Sequence, residues 1–122
     1  MPRRGNKRDV RFEVIDDHLV RTVSFPDGKS YVHRCPRTTY ETVAHAIEET
    51  PAEGGGTTLL ELSNKEDLAF TQVNVALEFL KERGIVDVRH RRCYPGTTGV
   101  YLDAMVEFHA LREEPAALIV SD

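Results

Sequence analysis

A chain of 122 residues, 40% hydrophobic and 30% charged, is long enough to bury one core without metal or disulfide support, and no apolar run approaches the roughly 20 residues of a membrane span. Its net charge of −4 argues against indiscriminate binding to a polyanion, because phosphate contacts supply most non-specific affinity. The charge is uneven: residues 1–37 carry nine Lys and Arg against five Asp and Glu, and residues 38–122 carry seven against fifteen, so any basic footprint must be local.

Residues 1–9 are polar and basic without periodicity and read as a flexible arm, with Arg3 and Arg4 as candidates for following a DNA minor groove. The stretch MPRRGNKRDVRF lacks the apolar core of a secretory signal, so a cytoplasmic address is expected. Cys35 and Cys93 stand far apart and outside any CxxC pair, which points to reduced thiols.

Residues 10–37 change to alternation: Phe12 and Val14, then Leu19, Val23 and Phe25, then Tyr31, His33 and Cys35 fall on every second position. Asp16-Asp17 breaks the first two runs, and Pro26-Asp27-Gly28-Lys29 supplies a turn with Gly where positive φ is needed. The pattern predicts a three-stranded antiparallel β-meander, although Arg21 interrupts its apolar face.

Thr38 and Glu41 form a capping box ahead of Tyr40, Val43, Ala44 and Ile47 at helical spacing, a helix that Pro51 and Gly54-Gly55-Gly56 end. Thr58 and Glu61 repeat the signature before Leu59, Leu60 and Leu62. Val73, Ala76, Leu77 and Leu80 stand at i, i+3, i+4 and i+7, a buried stripe on a further helix, and Gly84 provides the left-handed residue that stops it. Two strands, 86–93 and 100–102, are expected to follow, joined by the turn formers Tyr94-Pro95-Gly96-Thr97-Thr98-Gly99. Asp103 then caps a helix through Arg112, whose Met105, Phe108 and Leu111 cover the core or pair with a second copy; residues 115–122 form a tail that adds a final strand or lies disordered.

Thr58, Leu59, Glu61, Leu62, Leu68, Val73, Ala76 and Leu77, continuing through Leu80, Gly84, Ile85 and Val86, carry a resemblance to the winged helix-turn-helix superfamily over residues 38–112. The resemblance implies an α+β fold, with a three-helix core, a β-wing and a C-terminal helix over residues 38–114, preceded by the meander. It further implies a small transcriptional regulator that binds double-stranded DNA and forms a homodimer through the terminal helix. The second helix of the pair would present Thr71, Gln72, Asn74, Val75 and Glu78 outward, with Thr71, Gln72 and Asn74 suited to reading bases or phosphate. In the wing, Arg89, Arg91 and Arg92 suit phosphate or the minor groove; Val88 is expected to point inward and Arg89 and Arg91 to project together.

The chain departs from the family at two places: Asp67 replaces the usual turn glycine, and Ala69 replaces the usual capping Ser or Thr, leaving Thr71 to cap two residues later. The alternative is a protein-interaction module on the same scaffold, favoured by Glu78, Glu82 and an exposed Val75 on the presumed groove side. His33, Cys35, His90 and Cys93 carry zinc-like chemistry, but strand alternation turns His90 and Cys93 apart unless the wing bends, so no metal is expected. No Gly-rich phosphate loop, nucleophile elbow or carboxylate pair with a pocket points to catalysis, and no cofactor is expected.

Overall fold

The alternating segment forms β1 (Asp9–Ile15), β2 (His18–Ser24) and β3 (Ser30–Pro36) in an antiparallel sheet of order β1-β2-β3. The computed structural model describes the backbone of residues 8–120 and the side chains of residues 8–113; the expected arm residues Arg3 and Arg4 lie outside the described residues. Asp16 and Asp17 make the first connection with φ of 51° and 63°, the two-residue turn whose twist matches that of paired strands. In the second, Phe25 N–H donates to Lys29 O at 2.8 Å and Gly28 N–H to Phe25 O at 3.0 Å. Val14 faces Leu19, which faces Cys35, so all three lie on one side of the sheet and are buried there. Val20, on the other side between Glu13 and Arg34, is buried as well.

The chain then forms α1 (Arg37–Glu48), α2 (Leu59–Glu66), α3 (Phe70–Glu82), the hairpin strands β4 (Val86–Arg89) and β5 (Arg92–Pro95), and α4 (Val100–Val120). The whole is an α+β arrangement of four helices, a three-stranded sheet and a two-stranded sheet. Its core joins Tyr40 of α1, Phe79 of α3 and Phe108 of α4, all fully buried, with Tyr40 lying 5.2 Å from Phe108 and 6.1 Å from Phe79 between ring centroids. The Tyr40 hydroxyl donates to Ala104 O at 2.6 Å, which satisfies the polar end of an otherwise apolar contact.

Outside the α2–α3 pair, two helix starts differ from the sequence expectation. Thr38 does not cap α1: β3 runs directly into the helix through Pro36, so Thr38 already lies inside the first turn and Glu41 instead accepts from Arg37 Nε at 3.0 Å. Residues 100–102 are not a strand but the first turn of α4, which begins ahead of Asp103. Glu48 of α1 accepts the Tyr101 N–H at 2.8 Å and His45 stacks on the Tyr101 ring at 3.9 Å, so a neighbouring helix supplies the cap that the local sequence lacks.

Met105, Phe108 and Leu111 are buried in the chain's own core, which leaves Leu102 and Val106 as the large exposed apolar side chains of α4 among the described residues. The backbone of α4 continues as helix to Val120, where a strand or disorder was expected after Pro115. Among the described residues no helix is long and apolar enough to cross a membrane.

Candidate nucleic-acid interface

The α2–α3 pair is built from local devices. Thr58 accepts the Glu61 N–H at 3.1 Å, forming one half of the expected capping box, while the Glu61 carboxylate turns to Arg92. Asp67 takes the left-handed conformation, φ 57° and ψ 51°, that a turn glycine would otherwise supply. Ser63, largely buried, secures the turn from the α2 side: its hydroxyl donates to Leu68 O at 2.7 Å and its carbonyl accepts the Leu68 N–H at 2.9 Å.

Helix α3 starts at Phe70 with Ala69 in the cap position and no side-chain cap; Thr71 is already the second residue of the first turn and does not cap. Val73, Ala76, Leu77 and Leu80 are buried as their spacing predicts. The outward face is narrower than expected, because the sheet packs on it. Val75, expected to be exposed, is 0% exposed, and Phe79, one turn on, meets the Phe12 ring of β1 edge-on at 5.2 Å. Glu78 is held by the sheet too: Arg21, 5% exposed, donates from Nη1 to Glu78 Oε1 at 2.7 Å and from Nη2 to His33 Nδ1 at 3.0 Å. A guanidinium only donates, so His33 accepts through an unprotonated Nδ1. The interruption that Arg21 makes in the β2 pattern is therefore an ion pair between sheet and helix, a contact 57 positions long that no local signal announces.

In the first half of α3, Phe70 and Thr71 are exposed, and Gln72 and Asn74 half-buried. Further along, Glu78, Lys81 and Glu82 line a shallow cavity of about 400 Å³ with Arg8, Val10 and Phe12, where charges of both signs alternate.

The hairpin differs from expectation in its tip. The turn is His90-Arg91, both at positive φ (52° and 67°), and not the Pro95-Gly96 stretch. Pro95-Gly96 instead forms the base, where Gly96 N–H donates to Ile85 O at 2.8 Å and a Cβ on Gly96 would sit 2.7 Å from the Gly84 carbonyl oxygen. Thr57, just ahead of α2, bridges Cys93 of β5, with Thr57 N–H donating to Cys93 O at 3.0 Å and Cys93 N–H to Thr57 O at 2.6 Å.

The three arginines consequently separate. Arg89 and Arg92 are cross-strand partners, and Arg91 stands alone in the turn. Arg89 pairs with Asp87 at 3.3 Å and lies over the Tyr94 ring at 3.9 Å. Arg92 donates to Gly55 O and to both Glu61 oxygens at 3.0 and 3.1 Å. Arg91 is exposed and makes no ion pair or hydrogen bond among the described residues. Val88 does share the side of buried Cys93 but stands exposed, because the strand has passed the core by that point.

Both thiols are buried; burial pushes Cys35 up to about 12 and raises Cys93, which makes them packing residues and not nucleophiles. Among the described residues no group of three or more His, Cys, Asp or Glu is placed to hold a metal ion. Comparison of this chain with protein-family models, curated proteins and solved structures found no match.

Proposed function

We propose that the chain is a winged helix-turn-helix protein that binds double-stranded DNA as a small transcriptional regulator, reading bases with the first half of α3 and touching phosphate with the β4–β5 tip. The observation that carries this reading is the strip left uncovered on α3. Thr71, Gln72 and Asn74 make no side-chain hydrogen bond among the described residues and adjoin a helix N-terminus without a side-chain cap, where main-chain N–H groups favour phosphate. The Thr57–Cys93 bridge supports it further, because it ties the hairpin to the start of α2. Arg91 is the phosphate contact; Arg89 and Arg92 would first have to leave Asp87 and Glu61.

Fluorescence anisotropy with mixed-sequence duplex DNA at low salt tests this. Binding in the micromolar range is expected, weakening with salt, and Arg91→Ala reduces the log–log salt slope by about one on every sequence. Gln72→Ala or Asn74→Ala instead removes about 1–3 kcal/mol of preference at one base position. No anisotropy change at tens of micromolar folded protein overturns the reading. A protein-interaction module is the second reading, favoured by Phe70, 51% exposed at the head of α3, and by the exposed Glu82 lower on the same helix.

A further inference from the structure

β3 is an edge strand: it pairs with β2, and among the described residues no further strand pairs with it. The register identifies which of its main-chain groups face outward. Phe25 N–H donates to Lys29 O at 2.8 Å, and hydrogen-bonded pairs of an antiparallel ladder recur every second residue. Val23–Tyr31, Arg21–His33 and Leu19–Cys35 are therefore the bonded pairs, and Arg37 N–H donating to Asp17 O at 3.1 Å continues the alternation. Ser30, Val32 and Arg34 turn both N–H and C=O away from β2.

Natural edges are blunted by bulges, prolines or charges. β3 pairs with β2 through all seven residues without a bulge, and its proline stands only at the last position. Tyr31 and Val32, on opposite faces of the strand, are 40% and 49% exposed.

We propose that this edge pairs with the same edge of a second copy, antiparallel about a twofold axis at Val32, joining two sheets into one of six strands. The segment Ser30 to Arg34 is compatible with itself in that register. Val32 meets Val32 of the second copy, Arg34 meets Ser30, and Tyr31 meets His33 on the face that carries both. The alternative register centred on Arg34 sets like charges directly opposite each other, which is destabilising. The contact is isologous and closes on two copies.

Sedimentation equilibrium of the full chain tests this, with two variants at the edge and one elsewhere. Val32→Pro removes an N–H that the β2 ladder does not use, so the sheet is retained while the edge is blocked. Val32→Lys blocks it without touching the backbone and decides the matter if the proline variant unfolds. The expected result is a dimer that Val32→Lys weakens about tenfold or more with an unchanged circular dichroism spectrum, and that Val106→Asp on the exposed side of α4 leaves intact. Amide exchange at Val32 and Arg34 is expected to slow as protein concentration rises. A monomer at all concentrations overturns the proposal, as does a dimer indifferent to Val32→Lys; neither outcome bears on DNA binding.

Discussion

Arg21 occupies a position where the alternation of β2 calls for an apolar side chain, and it crosses instead from the sheet to α3. Its Nε–H has no partner among the described residues, so the charge depends on Glu78, with His33 taking one further N–H. Removing one member of a buried pair leaves an uncompensated charge and costs about 3–5 kcal/mol, whereas replacing both by apolar groups is often neutral. Glu78→Ala is expected to lose about 3 kcal/mol in urea unfolding, the lower end of that range because the Glu78 side chain is 26% exposed. Arg21→Met combined with Glu78→Leu is expected to return to within about 1 kcal/mol of the original chain. A Glu78→Ala loss below about 0.5 kcal/mol would mean that the pair does not hold the sheet to α3.

At the scale of elements, the hairpin shows why turn chemistry alone misplaces a tip. Pro95-Gly96 reads as a turn, and His90-Arg91 reads as strand, because Arg is not a usual choice for positive φ and a lone His is a weaker turn signal than Pro-Gly. The packing of the base reverses this: Gly96 is pressed against the Gly84 carbonyl and Ile85, and the strands have only four residues each before they must turn back. The two glycines are therefore expected to respond differently to alanine. Gly84 lies at φ 75° with open space around its Cβ position, so Gly84→Ala costs about 1–2 kcal/mol of backbone strain and leaves the hairpin in place. Gly96→Ala has to move backbone and is expected to cost more and to shift the amide NMR resonances of β4 and β5. Equal effects from the two would count against the close approach at the base.

Across the whole molecule, burial sets an alkaline limit. An acid whose pKa is raised on folding contributes stability that is intact below its unfolded value and is lost as pH climbs toward its folded one. Cys35 rises from 9.0 to about 12, and burial raises Tyr40 above 10.0. Stability is expected to be flat through neutral pH and to fall above about pH 9, by about 1.4 kcal/mol per pH unit for each group engaged. Cys35→Val combined with Cys93→Val is expected to delay the onset toward the ordinary Tyr value, as read by thermal unfolding between pH 7 and about pH 11, because burial raises both thiols from the same starting value. An unchanged onset would remove the two thiols as its cause.

What the sequence determined by itself was everything carried by local period and local sterics. Alternation defined β1 to β3, helical spacing defined α1 and the α3 stripe, Thr58 capped α2, and Asp67 and Gly84 supplied the left-handed residues between elements. Thr71, Gln72 and Asn74 were legible as open for the same reason, since the period that buries Val73, Ala76 and Leu77 turns Thr71 and Asn74 away from that stripe. Only the tertiary structure decided how the sheet docks. By seating Phe12 on Phe79 and Arg21 on Glu78 it buried Val75 and shortened the open face of α3, and by placing Glu61 and Glu48 beside distant partners it tied Arg92 to α2 and started α4 early. Each of these depends on which surfaces meet across long stretches of chain, and a one-dimensional pattern records which face of an element is apolar but not which element will cover it.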